Sequence, residues 1–341
     1  MRVIVTANQV PFIRGGAEYH AENLVNAIRE HGHEVELVRF PFKFSPESFI
    51  DHQMEYCKSL DFSSFNGHQV DRLISLQFPG FGIQHDHHRV WVMHQHRAMY
   101  ELYDESQSSE DLNQFRSRVH NFDTEVLGGA EKLFANSENV ASRLYKYNQL
   151  KADPLYHPPP AGHLLQAGES WDYIFYPSRL ESLKRQTLLI EAAQFTQTDV
   201  KIIIAGDGGQ KSHYQSLVDQ LGVADKVRLI GAFSDEEKIV LYKHALGVFF
   251  GPYDEDYGYI TLEAMLAEKP VITCKDSGGP LEFVVDEETG LVCEPQPQAI
   301  AAAIDSLYAD KQKAKKMGMA GKQRYQDLNI NWHTVVKSLL D

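Results

Sequence analysis

Residues 172–209, DYIFYPSRLESLKRQTLLIEAAQFTQTDVKIIIAGDGG, decide the fold. Two short runs, DYIFYPS and VKIIIAGDG, are apolar on both faces, as strands of a parallel sheet are when helices cover each side. Between them lies a helical segment opened by Lys184 and Arg185, so the stretch reads as a βαβ unit. Working outward, the same alternation recurs. RVIVTA, HEVELVRF, RLISLQF, RVWVMH and KLFANS precede the stretch, and KVRLIGAF, LGVFFGP, PVITCKD and TGLVCEP follow it. The predicted fold class is α/β, with two Rossmann-like, doubly wound parallel sheets.

The break between the two falls in YHPPPAGHLLQAGES, residues 156–170, where three consecutive prolines forbid a helix or strand interior and stiffen a connection. The expected domains are residues 1–165 and 166–328, with a last helix in 329–341 crossing back to the first domain. The first 165 residues hold 13 of the 16 histidines, so the halves differ chemically, and no internal repeat is visible.

The chain has 341 residues, 43% of them hydrophobic and 23% charged, which suits two globular domains and excludes fibrous or disordered classes. A formal net charge of -14 with no basic run argues against nucleic acid as a partner. Cys57, Cys274 and Cys293 lie far apart in sequence with no CxxC pair, which favours a reducing, cytoplasmic setting over a disulfide framework or cysteine zinc site. The opening MRVIVTANQVPF lacks an extended apolar signal region, and no window approaches 18 consecutive apolar residues, so neither a secretion signal nor a membrane span is expected.

Ligands of open parallel sheets bind beyond the carboxyl ends of the strands, so the residues after each apolar run are the candidates. After the first run, Gly15 and Gly16 open a helix, where free amides and the helix dipole suit an anion. No GxGxxG follows, which disfavours a dinucleotide enzyme. After RVWV come His94, at the strand tip, and His96, two residues on and facing the same way in an extended chain. The histidines of HDHH, residues 85–88, read as a solvated turn. Arg179, Lys184 and Arg185 gather cations at a helix opening, a setting for a diphosphate. Gly206 ends a buried strand in a tight glycine-rich exit. Ser234 and Glu237 form a capping box, and Pro280 suits the first position of a helix after a glycine pair. In GPYDEDYGYITLEAMLAEKPVIT, Glu255 belongs to a loop and points into a cleft. Glu263 lies in the first turns of a helix entered at Gly258, its carboxylate ionised and free to accept bonds from vicinal hydroxyls.

Taken together, these segments resemble the family 4 glycosyltransferases of the GT-B fold, across nearly the whole chain. The family's E-x7-E motif is matched by EDYGYITLE, Glu255 to Glu263, continued by AMLAEKPVI. Its R…K diphosphate motif is matched by RLESLK, Arg179 to Lys184, and its N-terminal GG loop by GGAE. The resemblance implies two domains facing a cleft, with acceptor binding in the first and nucleotide-sugar binding in the second. It further implies that Arg179 and Lys184 grip the donor diphosphate, Glu263 bonds the ribose, and Gly15 and Gly16 lie against the diphosphate or sugar. Glu255 then contacts the donor sugar with Tyr257, Gly258, Tyr259 and Ile260, His94 lies near that sugar, and Gly206 belongs to the same donor site. Two features depart from the family pattern: Glu-Asp-Tyr-Gly stands where many members have Glu-Gly-Phe-Gly, and His96 competes with His94.

The implied activity is retaining transfer of a hexose from a UDP- or GDP-linked donor to a glycan or lipid-linked acceptor, in polysaccharide or lipopolysaccharide biosynthesis. Cations would replace a metal, and no cofactor is implied beyond the donor itself. Weak peripheral association with the inner face of a membrane is compatible with such acceptors. The rival readings are a GT-B nucleotide-sugar epimerase and a non-catalytic nucleotide-sugar-binding subunit.

Overall fold

The computed structural model describes residues 1–12 and 15–341, and the chain divides into two compact units, residues 1–160 with 331–341, and residues 161–330. All eleven apolar runs form strands.

Unit 1 opens with β1 (Arg2–Gln9), α1 (Gly16–Glu30), β2 (Glu34–Pro41), α2 (Glu47–Ser59), and the two-residue strands β3 (Ser64–Phe65) and β4 (His68–Gln69). It continues with β5 (Arg72–Ser75), β6 (His88–Val92), α3 (Glu110–Gly128), β7 (Lys132–Ala135), α4 (Glu138–Asn148) and β8 (Asp153–Pro154). The sheet order is β2-β1-β5-β6-β7-β8 with every pairing parallel, while β3 and β4 form a separate antiparallel hairpin. Because β1 connects outward to β2 on one side and the chain resumes at β5 on the other, the order reverses between β1 and β5. A crevice for ligands forms at such a point. Asn8, near the end of β1, stitches the two exits together: its side chain donates to Phe78 O at 2.8 Å and its amide to Gln77 Oε1 at 2.8 Å.

Unit 2 comprises β9 (Tyr173–Pro177), α5 (Gln186–Ala192), β10 (Lys201–Ala205), α6 (Lys211–Leu221), β11 (Val227–Gly231), α7 (Asp235–His244) and β12 (Gly247–Phe249). After these come α8 (Tyr259–Leu266), β13 (Val271–Cys274), α9 (Pro280–Phe283), β14 (Gly290–Cys293), α10 (Pro297–Ala309) and α11 (Lys311–Asp327). Its order, β11-β10-β9-β12-β13-β14, is again wholly parallel and reverses between β9 and β12. Ile174, Phe175, Ile202, Ile204, Val248 and Ile272 form its spine, each at most 1% exposed. The capping box at Ser234 is present, with Ser234 N donating to Glu237 Oε2 at 2.7 Å, and Pro280 holds the first turn of α9. The chain ends in α12 (Trp332–Leu340), whose Val335, Val336, Leu339 and Leu340 join the core of unit 1 with Val3, Leu24 and Ile28.

One feature departs from expectation, and one was not visible in the sequence. The histidines of residues 85–88 are not a uniformly solvated turn: His88 begins β6, is buried, and meets Ser75 Oγ at 2.8 Å through Nε2. Burial lowers its pKa to about 3, so it stays neutral. Cys274 and Cys293, distant in sequence, become direct partners in the β13–β14 register, both as free thiols. Burial raises them to about 12 and about 11, which keeps them protonated and unreactive. Among the described residues, no helix is long and apolar enough to cross a membrane.

Candidate active site

In unit 2 the two strands flanking the order reversal carry the charged motifs. The exit of β9 leads through Arg179 to a single 3-10 turn, Ser182–Lys184, and the exit of β12 leads through Glu255 to α8. The backbone ties these exits to each other and to the exit of β13. Tyr253 N donates to Leu183 O at 2.9 Å, Glu255 N to Ser277 O at 2.9 Å, and Gly279 N to Glu255 O at 2.8 Å. Lys184 and Glu255, 71 residues apart in sequence, therefore meet: Nζ lies 2.5 Å from Oε2, with the two side chains only 18% and 19% exposed. Tyr176, fully enclosed beneath them, donates its hydroxyl to Lys184 O. Burial, and next the charge of Glu255, raise its pKa well above the usual value. The ammonium also sits 5.7 Å from the Phe250 ring centre. An ammonium and a carboxylate thus share a wall of aromatic rings, where charge interactions are stronger than in open water.

Arg179 is exposed on the same loop. Arg185, the third cation of the segment, is committed elsewhere. Its guanidinium bonds both oxygens of Asp276 at 2.8 and 2.7 Å and the carbonyls of Gly251 and Pro252 at 2.9 and 2.7 Å. Those four bonds hold it at φ +54, a conformation costly for a side-chain-bearing residue. Arg185 therefore braces the loops and cannot also offer its fork to a ligand.

Glu263 lies in the second turn of α8, and the expectation that its carboxylate is unengaged is corrected. It is 5% exposed, Lys238 Nζ lies 2.5 Å from Oε1, and Tyr242 Oη donates to Oε2 at 2.6 Å. Lys238 and Tyr242 are four residues apart on α7, so one helical face presents both. Sequence reasoning missed this pair, although the i, i+4 spacing was there to be read. Burial, and then the Glu263 charge, raise the hydroxyl pKa of Tyr242 and of Tyr259. Gly258 caps α8 at φ +92, where a Cβ would meet Phe250 and Pro280 at 3.1 Å. Tyr257, buried, packs edge-on to Tyr259 and Phe283 at 5.5 and 5.6 Å, and Ile260 is half-buried beside the core.

Gly206 packs closely against the neighbouring strand exit. At φ +138 its backbone lies so close to the β9 exit that a Cβ would stand 2.0 Å from Ser178 O, and its amide is taken by Gly231 O at 2.8 Å. The exit of β10 thereby supports the segment that carries Arg179. Gly206→Ala is expected to destabilise the protein by roughly 1–3 kcal/mol through backbone strain alone, more with the clash, as a lower denaturant midpoint with unchanged m-value would show.

In unit 1, Gly15 caps α1 and Gly16 begins it, but Glu18 Oε2 accepts the Gly15 amide at 2.8 Å. The helix's own carboxylate thus holds a donor reserved in the sequence reading for an anion. β6 ends at Val92, so His94 stands two residues past the strand tip, half-buried, with Nδ1 2.8 Å from Gln95 O. His96 stacks on Phe78 at 5.5 Å and meets Phe115 edge-on at 6.3 Å. Burial, with a smaller push from His94, lowers it to about 4. Of the two, His96 is the packing residue. Among the described residues no three His, Cys, Asp or Glu side chains gather as metal ligands do.

Two parallel-sheet α/β units of this topology define a GT-B protein. The solved structures agree on the fold. The chain aligns with sucrose-phosphate synthase from Thermosynechococcus elongatus at a TM-score of 0.77 and 18% identity, covering 99% of this chain and 97% of that one. It aligns with Anabaena HepE in complex with UDP and glucose at 0.70 and 16%, covering 99% and 98%. Residues 166–324 match the family model described as Glycosyl transferases group 1. It is 34% identical over 166 residues to the alpha-1,3/1,6-mannosyltransferase ALG2 of Homo sapiens, spanning 44% of this chain and 40% of that protein. It is 30% identical over 144 residues to the D-rhamnosyltransferase WbpZ of Pseudomonas aeruginosa, spanning 41% and 37%. The matched segments thus cover well under two thirds of either relative.

Proposed function

We propose that the protein is a retaining glycosyltransferase that moves a hexose from a nucleotide diphosphate sugar to a glycan or lipid-linked sugar acceptor. The observation that carries this reading is the Lys184–Glu255 pair at the strand-order reversal of unit 2. Departure of a nucleoside diphosphate builds negative charge on its terminal phosphate. Lys184, with Arg179 on the same loop, supplies the compensating charge in place of a metal ion. Until a donor arrives, Glu255 neutralises the ammonium; once it has, the carboxylate is released toward hydroxyls of the sugar. Glu263 fits the ribose even while engaged. Lys238 and Tyr242 each take one lone-pair site of a carboxylate that has about four, so they orient it and leave room for two hydroxyl donors. Among the relatives, a mannosyltransferase and a rhamnosyltransferase favour a hexose donor, and HepE bound to UDP and glucose favours a nucleotide sugar.

The test is a thermal-shift panel of UDP, GDP, ADP and their hexose conjugates with EDTA present. One base series is expected to raise Tm, since a ligand at 100 times its Kd adds about 2.7 kcal/mol to native-state stability. No shift from any nucleotide would overturn the donor site. A donor converted to its epimer without acceptor would replace transferase by epimerase.

A further inference from the structure

Behind the segment that carries His94, unit 1 buries a polar network that packing alone does not require. Gln95, 4% exposed, donates through Nε2 to Asp123 Oδ2 at 3.0 Å and to Asn148 Oδ1 at 2.9 Å. Asp123, on α3, is completely buried, and the same Oδ2 accepts the Tyr100 hydroxyl at 2.8 Å. Asn148, at the end of α4, donates onward to Thr124 Oγ1 at 2.7 Å. A carboxyl at zero exposure is costly unless donors satisfy it, and burial raises Asp123 to about 7 against the opposing pull of Tyr100 and Gln95. The outcome of that expense is a clamp. Both side-chain hydrogens of Gln95 are committed, one toward α3 and one toward α4, so its backbone is held fast.

That backbone is what His94 touches. Gln95 O accepts and cannot donate, so at 2.8 Å the proton between it and His94 must reside on Nδ1. In the neutral ring Nε2 then keeps its lone pair. We infer that Gln95, clamped by Asp123 and Asn148, is a positioning residue that fixes His94 as its Nδ1–H tautomer and reserves Nε2 as a hydrogen-bond acceptor. The inference rests on the proposed role of His94 and sharpens it. An acceptor nitrogen suits a sugar hydroxyl, which has a proton to give, and repels the oxygens of a diphosphate, which do not.

The tautomer is directly observable without any ligand. Long-range proton–nitrogen correlation spectra of the 15N-labelled full chain, with His94 assigned by the loss of its signals in His94→Gln, should show a protonated Nδ1 and a bare Nε2. Free imidazoles favour the opposite form. In Gln95→Met, which removes both clamping bonds at similar volume, the His94 signals should move to the free-imidazole pattern. In Asp123→Asn, which keeps an oxygen acceptor for Gln95, they should stay. A wild-type His94 protonated on Nε2, or an unchanged pattern in Gln95→Met, overturns the inference, and the wild-type spectrum alone decides the tautomer should the variant not fold. With the donor found in the thermal panel, Gln95→Met should lose on the order of 10- to 100-fold in kcat while the donor KM moves little, as expected of a misplaced rather than missing group. An unchanged kcat would reject the positioning role. Failure of every nucleotide to bind would instead sink the transferase reading and leave the tautomer result standing.

Discussion

Replacing Lys184 by alanine is expected to lower kcat at saturating donor by about 10² to 10³-fold, the usual cost of one preorganised charge at a developing anion. The variant also takes the ammonium away from Glu255, whose side chain is 19% exposed, so stability should fall by roughly 1–3 kcal/mol, seen as a lower Tm. The two effects separate in the double variant Lys184→Ala with Glu255→Gln. Removing both charges should return most of the lost Tm and none of the lost turnover. Turnover of Lys184→Ala within a few fold of the native enzyme would show that the ammonium merely anchors Glu255 and has no part in leaving-group departure.

The largest effect on stability should come from Glu263. Alanine there leaves Lys238 charged and largely enclosed, and leaves the Tyr242 hydroxyl, with no solvent access, lacking its acceptor. Removing one partner of a buried pair costs about 3–5 kcal/mol. At 2–4 °C per kcal/mol for a domain of this size, the melting temperature should drop by roughly 6 to 20 °C. Combining Lys238→Met with Glu263→Gln should recover much of that loss while still weakening nucleotide binding. If the recovered variant binds nucleotide as the native protein does, the triad is architectural and the ribose contact lies elsewhere.

The strands were legible because a parallel sheet covered on both faces demands unbroken apolar runs such as IIIA, VWV and VITC, here short, rich in β-branched residues and bounded by turn residues. β3, β4 and β8 were invisible for the converse reason: two-residue strands carry no period. The charged motifs were legible as candidates, since Arg179, Lys184, Glu255 and Glu263 each follow an apolar run. Their pairing was not. Whether Lys184 meets Glu255, whether Arg185 is spent on Asp276, and which helix supplies partners to Glu263 depend on which strands are neighbours. The reversal of strand order between β9 and β12 settles that at long range. His88 misled for the same reason, its burial decided by Ser75 on the adjacent strand. The clamp on Gln95 draws on α3 and α4, and no local pattern around HQH announces it.

The placement of α12 bears on how the chain is made. Unit 1 is not contiguous: the hydrophobic faces of β1 and α1 leave the ribosome before unit 2, whereas the nine-residue helix that helps seal them leaves after it. All of unit 2, residues 161–330, is synthesised in between, which at 5–20 residues per second takes roughly 10 to 30 s. During that interval Leu24 and Ile28 lack part of their native cover, and at its end unit 2 holds every strand and helix it needs. The second half of the chain therefore reaches its complete core before the first, and the order of maturation runs opposite to the order of translation.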